Sequence, residues 1–230
     1  MGVEIAIPAY NEEMVLEKSI SKLVSFLKNV DFEYNITIVD AGSKDSTLDV
    51  AKGLADNYGI KVIHLNHNGK GNAIQKAWIE SKNELLCFMD ADMSTDLSHL
   101  STMVKLLEKY DVVSGNRLSK KARVKRKLSR TFLSMFYNVL VKSYLNVKVN
   151  DIQCGFKGIR RKVFLELVND ARNDGFFFDT ELMVFAEKKG YRIKEIPIKW
   201  REGGDSKVNV FRTSLDYLKQ IYKLKKRLKK

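Results

Sequence analysis

At 230 residues, with 44% apolar residues and only two prolines, the chain can build one full core and lacks the composition of a disordered protein. Its 41 Lys and Arg against 28 Asp and Glu give a net charge of +13, and its two cysteines exclude a disulfide framework. The longest uncharged apolar stretch, residues 131–141, is about half the ~20 residues that a spanning helix requires, so no membrane span is expected.

The first residues, Met1-Gly2-Val3-Glu4-Ile5, carry no basic leader region, and a reducing, cytoplasmic setting is the default expectation. The positive charge is concentrated. Residues 116–149 hold ten Lys and Arg and no acid, and residues 217–230 hold seven and no acid. Two such segments point to a polyanionic partner, either nucleic acid or an anionic membrane face. Two solvated helix faces are the plainer alternative.

In chain order, the apolar runs at residues 3–7, 36–39, 62–65, 85–89 and 112–113 read as strands. Between them, Leu16, Ile20, Leu23 and Leu27 recur at spacings of four, three and four, which is one face of a helix. Ala51, Leu54 and Ala55 mark a second helix, residues 73–79 a third and residues 100–107 a fourth. After Arg117 the regular alternation stops. A basic, partly apolar helix is expected over about residues 129–145, then a loop at 151–157 and a helix at 179–188. A strand over 191–200, a Gly-rich loop over 201–207 and a basic terminal helix complete the pattern. The fold class is therefore α/β, a single domain over residues 1–230 with a mostly parallel sheet flanked by helices. No internal repeat, low-complexity linker or second-domain boundary interrupts it.

In such sheets, ligands bind beyond the carboxyl ends of the strands, and the polar motifs fall there. Pro8-Ala9-Tyr10-Asn11-Glu12 follows the first strand, Asp40-Ala41-Gly42-Ser43 the second and Asp90-Ala91-Asp92 the fourth. Residues i and i+2 of an extended segment point the same way, so Asp90 and Asp92 can aim at one point. Two carboxylates a few ångströms apart repel unless a cation or a proton joins them. A hard divalent ion satisfies both, with substrate phosphates completing its shell. Two turn aspartates are the structural alternative. Asp40 can accept hydrogen bonds from a base or ribose, or cap the helix near Ser46. Gly69-Lys70-Gly71 suggests a phosphate cradle without the spacing of a P-loop.

The motifs "IPAYNEE" (7–13), "VDAGSKDST" (39–47), "NGKGNAIQKAW" (68–78) and "MDADMST" (89–95) resemble family 2 glycosyltransferases with the A-type, nucleotide-sugar-binding fold. "GNR" (115–117), "SR" (129–130), "DIQCGFK" (151–157), "FFFDTEL" (176–182) and "WREGGDSK" (200–207) are similar to the polyprenyl-phosphate branch, nearest the dolichyl-phosphate β-glucosyltransferases. The resemblance spans nearly the whole chain. It implies a nucleotide-sugar-binding half over residues 1–115 and an acceptor-binding half over 116–230.

Residue by residue, the resemblance implies that Pro8, Tyr10, Asn11, Glu12 and Asp40 hold the nucleoside. Lys70 and Ala91 would line the nucleotide sugar, and Asp90 and Asp92 would hold Mg²⁺ or Mn²⁺ on the diphosphate. Arg201 and Lys207 would close over the diphosphate, while Arg117 and Arg130 would grip the acceptor phosphate, for which a planar guanidinium fork is suited. Gln153, Asp179 and Glu181 would line the sugar and acceptor side. Asp92, Arg201 and Asp151 would be the catalytic set, with Asp151 positioning substrate rather than acting as an obligatory base. The chain departs from the family at Ala41, where a second acid is common, and at Ser94, where mannose synthases place a Gln.

The implied reaction is a single inverting transfer of a hexose, glucose from UDP-glucose first, to a membrane polyprenyl or dolichyl phosphate. Mannose transfer from GDP-mannose and transfer to a saccharide hydroxyl are the alternatives. The basic segments would then meet an anionic membrane surface peripherally, on its cytoplasmic face. Phe132, Leu133, Phe136, Val139 and Leu140 would face the acyl region. A nucleic-acid module would give Asp90 and Asp92 no role, so nucleic acid is not the expected partner. A homo-oligomer is left open.

Overall fold

Apolar runs bounded by Gly, Asp and Asn pair into a seven-stranded sheet, and the periodic segments between them pack on its two faces. The structure is a computed structural model describing residues 2–126, 128–203 and 210–229. The side chains of residues 128, 130 and 210–215 lie outside that description. The elements run β1 (Gly2–Ala9), α1 (Glu13–Leu27), β2 (Glu33–Asp40), α2 (Thr47–Tyr58), β3 (Lys61–His64), α3 (Lys70–Glu80), β4 (Leu85–Met89), α4 (Ser98–Leu107) and β5 (Val112–Asn116). They continue with β6 (Arg123–Lys125), α5 (Leu128–Leu145), β7 (Phe156–Arg160), α6 (Arg161–Leu167), α7 (Phe178–Lys188), β8 (Ile193–Pro197), β9 (Lys199–Arg201) and α8 (Val210–Arg227).

The strand order is β3-β2-β1-β4-β7-β5-β8. Strands β3, β2, β1 and β4 are mutually parallel, and β5 runs parallel to β8. The chain leaves β1 toward β2 and β3, then returns through α3 to place β4 on the other side of β1. That reversal opens a crevice at the carboxyl ends of β1 and β4, where open α/β sheets bind their ligands. Alternation along the strands feeds two cores. Val3, Ile5 and Ile7 of β1, with Cys87 and Met89 of β4, join the side covered by α1, α2 and α4. Ala6, Leu86 and Phe88 join Trp78 of α3 and Phe164 and Phe178 beyond it. The face of α1 anticipated from spacing is buried: Leu16, Ile20 and Leu23 have no exposed surface. Each such side chain contributes about 1.5–3 kcal/mol, so a charge at Ile20 would break the α1 packing.

Three elements differ from the sequence expectation. Residues 156–160 form β7, inserted antiparallel between β4 and β5, where a continuing loop is expected. "FKGIR" does not look like a central strand, because its Lys157 enters the core only with an acidic partner from α7. The strand expected over 191–200 divides at Ile198 into β8, in the main sheet, and β9, which pairs with β6 in a separate two-stranded sheet. Helix α6 has only seven residues, too few to show a periodicity.

Candidate active site

The loops after β1 and β2 are stitched together by their own polar residues. Asn11 N–H donates to Ser43 Oγ at 2.9 Å, Glu12 N–H to Thr47 Oγ1 at 2.7 Å, and Lys44 N–H to Asn11 Oδ1 at 2.8 Å. Asn11 takes a left-handed φ of 54°, which its short polar side chain tolerates. Asp40 is fully buried at the end of β2; Oδ2 meets His64 Nδ1 at 2.7 Å and Oδ1 accepts from Ser43 N–H. The helix-capping alternative for Asp40 is not what the geometry shows. His64 is the partner that sequence reasoning missed, because it comes from β3.

Asp90 and Asp92 emerge at the end of β4, beside the crevice. Met93 adopts φ 49°, unusual for a non-glycine residue, and this tight turn brings Ser94 back onto Asp92. Ser94 N–H donates to Asp92 Oδ1 at 2.9 Å and Ser94 Oγ to Oδ2 at 2.5 Å. Burial raises the Asp92 carboxyl above its ordinary value; the Ser94 hydroxyl opposes this and the charge of Asp90 adds to it. Two glycines crowd the pair: a Cβ on Gly155 would overlap Asp90, and one on Gly203 would clash with Asp92. Close backbone on both sides and mutual repulsion fit a divalent cation between the acids. Among the described residues, no group of three or more His, Cys, Asp or Glu could hold a metal ion. Asp90 and Asp92 would offer two carboxylates, a number that Mg²⁺ takes when substrate phosphates complete its shell.

Cations surround the acids. Lys70, at the start of α3, is paired to Asp90 Oδ1 at 2.7 Å and lies 3.6 Å from Asp179 Oδ2. Burial alone would depress its ammonium, but Asp90 and Asp179 outweigh it and hold the group well above its usual range. Arg201 is tied to the acidic turn through its backbone, N–H to Ser94 O at 2.8 Å. Lys207 and the side chain of Arg130 lie outside the described residues.

On the second half's side, Arg117 and Asp151 form a buried pair. Asp151 has no exposed side chain; Oδ2 accepts from Arg117 N–H and Nε, and Oδ1 from Nη2, each at 2.8 Å. Burial would raise the Asp151 carboxyl, yet the Arg117 charge and hydrogen bonds hold it below the ordinary range. Arg117 Nη2 also donates to Gln153 O at 2.9 Å. The Gln153 amide reaches Thr180 Oγ1 at 3.2 Å, beside Tyr137, whose hydroxyl lies 2.6 Å from the same Thr180 oxygen. Tyr217 of α8 stacks near Tyr137, with centroids 5.2 Å apart. Its hydroxyl is pushed up to about 12 by burial.

The structure brings Asp90, Asp92, Lys70, Arg117, Asp151, Gln153, Asp179 and the Arg201 backbone to one end of the sheet. It does not bring Glu181 there. Two residues past Asp179 on a helix points elsewhere, and Glu181 pairs with Arg227 and accepts from Asn173 N–H. Arg126 joins the site unannounced. Its Nε and Nη1 donate to Thr131 and Ser134, while its buried Nη2 has no hydrogen-bond partner among the described residues. Burial and the charge of Arg117 push its guanidinium down from its ordinary value. The sequence signal for Arg126 is diluted by the other cations of the 116–149 segment.

The glycosyl transferase family 2 profile matches residues 4–168, well over half of the chain and including every strand-end motif of the crevice. The chain belongs to glycosyl transferase family 2. It is 33% identical to the glycosyltransferase AglD of Haloferax volcanii, over 96% of this chain and 36% of that protein, so it spans about a third of that relative. It is 28% identical to a dolichyl-phosphate beta-glucosyltransferase of Dictyostelium discoideum, over 97% of this chain and 73% of that protein. The Drosophila melanogaster protein of the same name is 30% identical over 92% and 70%. The fold of this family 2 glycosyltransferase matches glucosyl-3-phosphoglycerate synthase of Mycobacterium tuberculosis, solved with Mn²⁺, uridine-diphosphate and glucosyl-3-phosphoglycerate. The TM-score is 0.69 at 17% identity, over 96% of this chain and 75% of that one.

Proposed function

We propose that this glycosyltransferase moves glucose from UDP-glucose to a membrane polyprenyl phosphate, with inversion at the sugar carbon. The names of its relatives favour a glucosyl group and a dolichyl-phosphate acceptor. The observation that carries the acceptor assignment is the Nη2 of Arg126, unpartnered among the described residues, next to Arg117. Two guanidiniums that repel each other, one with a buried donor unspent, suit a dianionic phosphate better than a neutral hydroxyl, which would accept the bond but offset no charge. Arg130, from the same basic segment, would complete that grip.

A phosphate monoester with a second pKa near 6 is largely dianionic at neutral pH and attacks the sugar carbon without a strong base. That agrees with Asp151, whose two oxygens both serve Arg117. Asp151 then acts by fixing the guanidinium that orients the acceptor. Asp90 and Asp92 would hold Mg²⁺ or Mn²⁺, which neutralises charge on the departing diphosphate. Lys70, Arg201 and Lys207 add fixed positive charge at the leaving group, where preorganised electrostatics lower barriers most. Tyr10, Asn11, Glu12 and Asp40, with Pro8 at the end of β1, would seat the nucleoside between two loops already locked together. Gln153 and Asp179 would border the sugar.

The acceptor keeps its chain in a bilayer, so the enzyme has to meet a membrane. Among the described residues, no helix is long and apolar enough to cross one. Helix α5 instead presents Phe132, Phe136 and Val139 at 68%, 67% and 64% exposure, next to Leu133 and Met135. An exposed apolar stripe flanked by lysines and arginines, with the basic α8 beside it, is the pattern of a helix lying in the interface of an anionic membrane. Leu140 turns inward instead and packs on the core. We place the protein peripherally on the cytoplasmic face.

Incubation with UDP-glucose, GDP-mannose or UDP-N-acetylglucosamine, with and without a polyprenyl phosphate and with Mg²⁺ or Mn²⁺, tests the reading. Release of UDP from UDP-glucose only when lipid is present is expected. Lipid-independent transfer to a saccharide would replace it.

A further inference from the structure

Lys70 stands between two carboxylates and reaches them unequally. Its ammonium makes a short charge-assisted bond to Asp90 Oδ1 at 2.7 Å and stops 3.6 Å short of Asp179 Oδ2. Asp90 is also one of the two acids suited to a divalent ion. An ammonium and a divalent cation on the same carboxylate repel at this range, so the two compete for Asp90.

The fold supplies the other position. Asp179 lies in the first turn of α7, where the helix dipole favours a carboxylate. Its Oδ1 is held by Lys157, a side chain with no exposed surface that also donates to Cys154 O. Both ammonium groups sit over the ring of Phe88, Lys70 at 5.0 Å and Lys157 at 5.5 Å from its centroid. Turning Asp179 away would leave Lys157 charged and alone in the core, which is strongly unfavourable. Oδ2 therefore stays facing Lys70. A lysine suits the task because its charge is a point on a flexible stem with three donors, whereas an arginine fork would be fixed to one partner.

We propose that Lys70 is a two-position counter-ion. It holds Asp90 until a divalent metal ion takes that carboxylate, then closes on Asp179 and turns a donor to the diphosphate, with Lys157 as the residue positioning Asp179. This rests on reading Asp90 and Asp92 as the metal carboxylates of a glycosyltransferase.

The test is Mn²⁺ alone, titrated into the full chain without nucleotide and followed by the electron paramagnetic resonance of free Mn²⁺. Lys70→Met is expected to bind Mn²⁺ about tenfold more tightly than the wild type, the low end of what one neighbouring opposite charge does to a carboxylate. Asp179→Asn is expected to bind it several-fold more weakly, because Lys70 loses its second position. The double variant is expected to return to the Lys70→Met value, which a merely structural role for Asp179 would not produce. Lys70→Gln and a thermal melt of each variant guard against misfolding. Equal or weaker Mn²⁺ binding by folded Lys70→Met and Lys70→Gln, with wild-type binding abolished by Asp92→Asn, would overturn the counter-ion role and leave the transferase reading standing. No Mn²⁺ binding by the wild type, with or without UDP, would overturn both.

Discussion

In the first half of the chain, the polar residues of the site sit within a few residues of the end of a parallel strand: Tyr10 after β1, Asp40 closing β2, Asp90 after β4. Their positions follow from backbone direction, and their mutual contacts are largely between neighbouring loops. In the second half, the main site residues are tied up in buried ion pairs. Arg117 and Asp151 are 34 residues apart, Lys157 and Asp179 are 22 apart, and β7 is threaded antiparallel between strands made much earlier. The first half presents carboxylates at the crevice, whereas the second half pairs Arg117 with Asp151 and Lys157 with Asp179 in its interior and, among the described residues, leaves Arg126 Nη2 without a partner. Substitutions at the carboxylates of the first half should therefore cost activity with little stability, and those in the buried ion pairs of the second half should cost both.

The largest effect is expected for Asp151→Asn, which leaves Arg117 buried beside a neutral amide. Loss of about 3–5 kcal/mol is expected, the usual result of breaking a buried pair from one side, read by urea denaturation. Adding Arg117→Met should restore most of it, so stability lost and recovered separates packing from chemistry. The pH dependence has a definite sign. Arg117 holds the Asp151 carboxyl below its unfolded value, so the pair's contribution is complete above about pH 4. It is lost as pH falls through the lower native value. The double variant should lack that acid-limb loss.

Asp92→Asn is the donor-side counterpart. An amide keeps the turn and one acceptor for Ser94 but removes the charge that a divalent ion needs. Turnover should fall by about a hundredfold or more, while the melting temperature holds or rises, because burial and Asp90 already disfavour the ionised acid. A large loss of stability with intact metal binding would erase the contrast between the two halves.

The same contrast explains what the sequence could tell. Asp90, Asp92 and the loops after β1 and β2 are legible in the sequence as strand ends, because an apolar run ending in a polar motif fixes both the strand and its exit. The spacing indicates the helix at 179–188, yet which of Asp179 and Glu181 faces the crevice depends on helix rotation, and their ion pairs with Lys157 and Arg227 decide it. Lys157 itself is hidden, since nothing in "FKGIR" announces that its charge is matched by a residue from another element. Arg126 is hidden differently. Its distinguishing mark is one nitrogen, Nη2, without a partner among the described residues, a property of three-dimensional surroundings.

Arg126→Met tests that mark. The substitution removes the bonds to Thr131 and Ser134 together with the repulsion from Arg117, so stability should fall by no more than about 1–2 kcal/mol. The Michaelis constant for the lipid phosphate should rise about tenfold, the scale of one charge-assisted phosphate contact, while that for the nucleotide sugar stays put. A rise for both substrates would move Arg126 to the donor side.

The smallest effect is expected at the exposed apolar stripe of α5, where Phe136 is 67% exposed and contributes little to the fold. Phe136→Ser should change folding stability by under about 0.5 kcal/mol, the norm for exposed sites. Flotation with anionic liposomes reads the other side of the balance. Burying half of a phenyl ring at the interface is worth about 1 kcal/mol, so bound protein should drop about fivefold at low salt. High salt should weaken wild-type binding further by screening the lysines and arginines of α8 and the 116–149 segment. The two perturbations should add, because the apolar stripe and the basic residues act through separate parts of the interface. Wild-type protein that fails to float at low salt would show that the exposed face of α5 has some other covering. The acceptor half would then be explained by its internal ion pairs alone.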